Sequence, residues 1–274
     1  IVNPVREINE MAKKISQGSY GAIIEKEFND EIGELCDTIN NMSVEIRNAE
    51  KMKNDFISSV SHELRTPLTA ISGWGETILY MDDPEEMKKG VSIMMKEAKR
   101  LIKLVEELLE FTMMDSGRMK MNMDRIDIAA EFDEVIYMYM DNLKKEGITL
   151  DYKFDENIPE ITGDRERLKQ VFFNILDNAE KHGGSGGRID ASITCDKGWV
   201  IIKIRDYGPG IPEEDLAFVK QKFYKGSSQA RGSGIGLAVA NEVVLAHDGQ
   251  LLIENAEGGG TVVTIMLPIK FTKN

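Results

Sequence analysis

Phe56-Ile-Ser-Ser-Val-Ser-His62-Glu63-Leu-Arg-Thr66-Pro67-Leu-Thr69 sets one of the chain's three histidines directly before a carboxylate. On a helix His62 and Thr66, four residues apart, share a face. Phe56 and Val60 have core-facing spacing, which turns His62 towards solvent. A nucleophilic histidine needs a neutral, oriented ring that a bulky electrophile can reach, and an adjacent carboxylate such as Glu63 suits that chemistry. Pro67 lacks an N–H and crowds the carbonyl of Glu63, which predicts a bend or loosening just after His62. The plain alternative is a solvated helix residue.

The surrounding composition narrows the choices. The 274 residues allow two or three modest domains, and 42% hydrophobic with 30% charged residues suits a helix-rich globular protein. A net charge of −13 argues against nucleic acid as a partner, because phosphate neutralisation needs basic patches. Cys36 and Cys195 match no metal spacing and read as free thiols in a reducing cytosol. No stretch reaches the roughly 18 apolar residues of a membrane span. The opening Ile1-Val2-Asn3-Pro4 has no leader character, so the chain reads as a piece that starts inside a domain.

Two apolar seams flank a polar connector. Ile1, Val5, Ile8, Ala12 and Ile15 form the first, which Gly18 ends; Ile32, Leu35, Ile39, Met42, Ile46 and Ala49 form the second. Neither buries itself alone, which implies a coiled coil or a four-helix bundle. The second seam continues through polar Lys53 to Phe56 and Val60, predicting one helix from about Glu31 to Leu79 with a weak point at Lys53. Met81 to Pro84 makes a turn, with Asp83 as N-cap and Pro84 at the first helical position. The next helix carries Val91, Met94, Met95, Ala98, Leu101, Ile102, Val105, Leu108 and Leu109, and Asp115-Ser116-Gly117 ends it. Such a hairpin buries too little alone, so two copies are expected to form a four-helix bundle.

Beyond about Met121 strands and helices mix. Thr149–Phe154, Arg188–Thr194, Trp199–Arg205 and Thr261–Leu267 read as strands; 129–145, 164–181 and 235–247 read as helices. This predicts a two-layer α/β sandwich. Three motifs carry chemistry, and none is a P-loop. Asn174, Asn178 and Lys181 line one helical face, giving two amide oxygens for Mg²⁺ and an ammonium for phosphate. Asp206-Tyr-Gly208-Pro-Gly210 follows an apolar strand, where a carboxylate can accept from the adenine amine and glycines let backbone approach the ring. Gly232-Ser-Gly234-Ile-Gly236-Leu237 leads into a helix start, which suits phosphate. A Rossmann reading fails, since no βαβ unit follows that motif.

Together these strings resemble the sensor histidine kinases of bacterial two-component systems. Phe56 to Thr69 resembles their phosphoacceptor box, and the three later motifs, with Gly258 to Thr261, resemble the asparagine box and glycine boxes of their ATP domain. Pro4, Gly18 and Asp30-Glu31-Ile32-Gly33-Glu34-Leu35 ahead of Asn40 and Met42 resemble a HAMP linker. The resemblance implies a HAMP-like linker over 1–50, a dimerisation and phosphotransfer domain over 51–118, and an ATP-binding domain of the GHKL type, with a mainly antiparallel sheet, over 119–274. It implies a cytoplasmic portion of a bacterial inner-membrane homodimer, with a spanning helix just before Ile1 and a response-regulator receiver domain as partner. His62 Nε2 would attack the γ-phosphate of ATP, Glu63 would orient the ring and accept its Nδ1 proton, and Thr66 would place water for dephosphorylation of the regulator. Asn178 with Asn174 would hold Mg²⁺, Lys181 would meet phosphate and Asp206 would read adenine. Gly208, Gly210, Gly232, Gly234, Gly236 and Leu237 would shape the pocket and lid.

Two departures stand out. The family often has Lys-Tyr-Thr-Pro after the asparagines; here Lys181-His182-Gly183-Gly184 occurs, with His182 placed to stack or hydrogen-bond near the nucleotide. The lid's Phe-x-x-Phe has Lys220 in the first place and Phe223 in the second. Lys225 or Arg231 supplies a cation to the γ-phosphate, and the sequence does not choose between them. A regulator phosphatase with a crippled lid and a non-enzymatic scaffold are the competing functions; chaperone and mismatch-repair ATPases lack the His62 hairpin. Whether His62 is served by its own chain or its partner depends on the turn near Met81.

Overall fold

Three amphipathic stretches become long helices: α1 (Val2–Ser16), α2 (Glu31–Ile78) and α3 (Pro84–Asp115). The computed structural model describes residues 2–26, 30–115, 120–221, 224 and 234–269, and the chain divides into two compact units, 1–61 and 62–274. Among the described residues no helix is long and apolar enough to cross a membrane.

In the first unit Met11, Ile15, Ile24 and Cys36 make a small core, with Ile8, Ile39 and Ile46 against it. This corrects the first seam: Met11, not Ala12, is buried, because the connector folds back and brings Ile24 onto that side. Asn40 holds the connector from both sides, accepting from the Ile24 N–H at 2.8 Å and donating to its carbonyl at 2.9 Å. Leu35 and Met42 of the second seam remain exposed within one chain. Cys36 is a buried free thiol, and Cys195 an exposed one.

In the second unit the remainder of α2 pairs with α3. Asp83 accepts from the Glu85 N–H at 2.9 Å, capping α3 as the sequence predicts. Pro67 is buried inside α2, which runs on without a break, so the expected loosening does not end the helix. A Cβ at Gly90 would lie 2.8 Å from the Trp74 ring, so only glycine allows this approach of the two helices. Val91, Met95, Ile102, Val105 and Leu109 of α3 stay exposed.

The remaining elements are β1 (Asp124–Ile126), α4 (Ile128–Lys145), β2 (Thr149–Phe154), β3 (Ile161–Gly163), α5 (Arg165–Gly183), β4 (Arg188–Asp196), β5 (Trp199–Asp206), α6 (Glu213–Leu216), α7 (Gly236–Ala246), β6 (Gln250–Asn255) and β7 (Thr261–Pro268). The main sheet has the order β2-β4-β5-β7-β6; β2–β4 is parallel and the other pairs are antiparallel. Alternation along β4 and β5 buries Ile189, Ala191, Ile193, Val200, Ile202 and Ile204 on the helix-covered face. Here β1, β3 and β6 are additional to the strands read from sequence. The first two have three residues each, too few to show alternation.

The site depends on α5, which carries the asparagines. Asp164 caps it, accepting from the Arg167 N–H, and Asp164's own N–H donates to Nε2 of buried His247 at 2.8 Å. Phe172 is fully buried and meets Phe132 edge-on, with centroids 5.0 Å apart. Phe172→Ala should destabilise the domain by about 3–5 kcal/mol, as for other buried aromatic truncations. A lower denaturant midpoint by near-ultraviolet circular dichroism checks this, and an unchanged midpoint would remove Phe172 from the core.

Candidate functional site

A cleft of about 350 Å³ opens where α5, the end of β5 and the start of α7 meet. Helical spacing puts Asn174, Asn178 and Lys181 on one side of it, as the sequence predicts. Asn174 Nδ2 donates to the Gly236 carbonyl at 3.2 Å, tying α5 to the first turn of α7. Lys181 is ion-paired at 2.6 Å with Asp177, which also accepts from the Tyr139 hydroxyl at 3.2 Å. His182 lines the cleft too; burial, with Lys181 beside it, lowers its pKa, so at pH 7 it is a neutral ring.

Asp206 is buried at the strand end. Its Oδ1 accepts from the Gly208 N–H at 2.9 Å and the Thr261 N–H at 3.2 Å. These bonds fix the carboxylate's direction, and among the described residues none donates to Oδ2. The neighbouring Tyr207 is anchored as well: its hydroxyl donates to Asp190 at 2.6 Å and Arg205 lies 4.5 Å from its ring centroid. Gly210 has a positive φ of 78°, and Asn255 clasps the loop after it, accepting from the Ile211 N–H at 2.8 Å and donating to its carbonyl at 2.7 Å. Gly210, Gly234, Gly236 and Leu237 line the cleft, whereas Gly208 supports it from behind against the His182 carbonyl.

Gly232, Phe223 and both lid cations, Lys225 and Arg231, lie outside the described residues. Lys220, the residue standing in an aromatic place, donates to the Leu251 carbonyl of β6 at 3.2 Å. Tyr224 donates to Asp215, which pushes its pKa up to about 12 and keeps it a donor at neutral pH.

His62 is exposed, as expected, and does not line the cleft, but Glu63 does. Glu63 is ion-paired with Arg100 of α3 at 2.9 Å. The Thr66 hydroxyl, also exposed, donates to the His62 carbonyl at 3.2 Å. Sequence reasoning did not find Arg100, Lys103 or Asn255, and it gave Thr261 no contact with Asp206. Arg100 lies 37 residues from its partner, and nothing local marks it. Asn255 and Thr261 face each other across the β6–β7 pair, and β6 was not legible.

The donor set fits a nucleotide with Mg²⁺. Among the described residues no three carboxylate, histidine or cysteine side chains converge into a metal cage. Two amide oxygens offering hard ligands beside a phosphate site suit an ion that keeps waters and phosphate oxygens in its shell.

Comparison with known proteins gives the same picture along the chain. Residues 1–48 match the HAMP domain, 52–117 the His Kinase A (phospho-acceptor) domain, and 163–270 the histidine kinase-, DNA gyrase B- and HSP90-like ATPase family. The chain is 31% identical to the signal transduction histidine-protein kinase AfsQ2 of Streptomyces coelicolor over 98% of its own length and 53% of that protein. It is 34% identical to the sensor protein SrrB of Staphylococcus aureus over 84% of its length and 40% of that protein. The chain therefore spans about half, or less, of these relatives. The histidine kinase ThkA, solved in complex with the response regulator TrrA, superposes with a TM-score of 0.63 at 25% identity, covering 83% of this chain and 65% of that one. A phosphoacceptor helix followed by this ATPase sandwich, with relatives of one kind along its length, places the chain in the sensor histidine kinase family.

Proposed function

We propose that this chain is the signalling part of a dimeric, membrane-linked protein-histidine kinase that phosphorylates His62 from Mg-ATP and passes the phosphoryl group to an aspartate of a response regulator. The observation carrying this reading is the shared cleft. Glu63, next to the acceptor histidine, lines the same cavity as Asn178, Lys181 and Asp206. The exposed apolar stripe of α3 supports the dimer, the HAMP match supports the membrane link, and the likeness to ThkA supports the regulator.

In this reading Asp206 Oδ2 accepts from the adenine amine, and His182 lies against the nucleotide as a neutral ring. The free N–H groups at the start of α7 and the Lys181 ammonium meet phosphate. Asn174 and Asn178 would hold Mg²⁺, which supplies charge neutralisation on the phosphates. His62 Nε2 donates its lone pair to the γ-phosphorus as the bond to the bridging oxygen breaks and ADP leaves with that electron pair. Glu63 takes the Nδ1 proton, and Arg100, bonded to Oε2, sets the carboxylate's direction. Exposed Thr66, one turn beyond His62, is placed to direct water when the regulator is dephosphorylated.

Incubation with γ-labelled ATP and Mg²⁺ tests this. Acid-labile label on the protein, passed on to a receiver domain, is the expected result. ATP binding without label would favour the phosphatase reading, and neither would favour a scaffold.

A further inference from the structure

We propose that phosphoryl transfer runs in cis, each chain's His62 being phosphorylated from the ATP held by its own domain, an inference that rests on the kinase reading above. The first support is the make-up of the cleft. Glu63 from α2 and Arg100, Lys103 and Glu107 from α3 line it together with Asn178 and Asp206 of the same chain. The hairpin therefore forms one wall of the nucleotide cavity.

The second support is the set of polar ties that hold that wall in place. Glu110 near the end of α3 takes the guanidinium of Arg167 and the amide of Gln170, both on α5. About two turns towards the start of α3, Lys103 lies 3.8 Å from Asp177, the carboxylate that also pairs with Lys181 inside the cleft. Arg100, a further step along, holds Glu63 at 2.9 Å. The ties thus run in order along α3, from Glu110 to the carboxylate beside the acceptor.

The third support is what the arrangement leaves uncovered. At about 100° per residue, Val91, Met95, Ile102, Val105 and Leu109 fall within roughly 40° of one direction on α3, whereas Arg100, Lys103, Leu104 and Glu107 fall on the far side, about 120–220° away. The first set is exposed and the second lines the cleft. A second copy can cover the apolar stripe while each ATP domain stays on its own hairpin. Dimerisation and transfer within one chain use different faces of α3 and do not compete.

Mixed dimers of two differently tagged chains, one wild type and one Asn178→Ala, isolated by both tags, decide the matter. Transfer in cis puts the label on the wild-type chain alone, since the variant's own domain does not hold Mg-ATP. Transfer between chains would put it on the Asn178→Ala chain, whose His62 is intact, and would overturn the proposal; so would label divided between the two. The Asn178→Ala homodimer is checked first and is expected to take up none. Label there, or no label on the wild-type homodimer, would sink the kinase-site reading itself and the inference with it.

Discussion

A His62→Gln protein should take up no acid-labile phosphate while binding ATP within about twofold of the wild type. Glutamine has nearly the length of histidine and keeps a polar group at the exposed position, so α2 is not disturbed. Its amide nitrogen is not a nucleophile, because its lone pair is delocalised into the carbonyl. His62 does not line the cleft, so nucleotide affinity has no reason to change. The loss is thus confined to chemistry. Filter retention of label after acid and alkaline washes, beside a fluorescent-nucleotide titration, separates the two. Label at wild-type levels in the variant would move the acceptor elsewhere; the other histidines, His182 and buried His247, are then the residues to exchange next.

Gly183→Ala should weaken ATP binding by about 10–100-fold, although glycine contributes no group to the nucleotide. An added Cβ would lie 2.1 Å from Asp206 Cβ, 2.4 Å from its Cγ and 2.6 Å from Oδ1. No such contact survives, so either the end of α5 or the carboxylate must move. Gly208 blocks one escape, because its own α-carbon region already meets the Gly183 backbone; a Cβ on Gly208 would be 2.6 Å from Gly183 Cα. Overpacking of this kind costs about 1–3 kcal/mol, and each 1.4 kcal/mol lost from binding is about tenfold in affinity. Gly184→Ala is the control: its Cβ would meet only Ile148 Cδ1, at 3.1 Å, and its helical backbone accepts alanine, so affinity should change only slightly. Equal losses in the two variants would mean that the Gly183–Asp206 approach does not set the site. Where the family often has threonine at this place, this chain's glycine is therefore a fitted part of the pocket.

His62, Glu63 and Thr66 are local: their relation is fixed by helical spacing within five residues, and so is that of Asn174, Asn178 and Lys181. Periodicity shows such relations directly, and the strands read at 149–154, 188–194, 199–205 and 261–267 were legible because alternation ran long enough to register; each proves the same length or one or two residues longer. Local pattern was enough for the helix-then-sandwich order, the exposed histidine, the asparagine face and the carboxylate at the strand end, whereas the burial of Asp206 was not legible. Which side chains meet across the cleft follows only from the packing of distant elements. Arg100 reaches Glu63 because Gly90 lets α3 lie against Trp74. Thr261 reaches Asp206 because β7 pairs with β5. Gly183 must be glycine because the end of α5 is driven onto Asp206. Each of these contacts joins residues tens of positions apart, and its distance is set by the packing of whole elements, a quantity that no local pattern of residues contains.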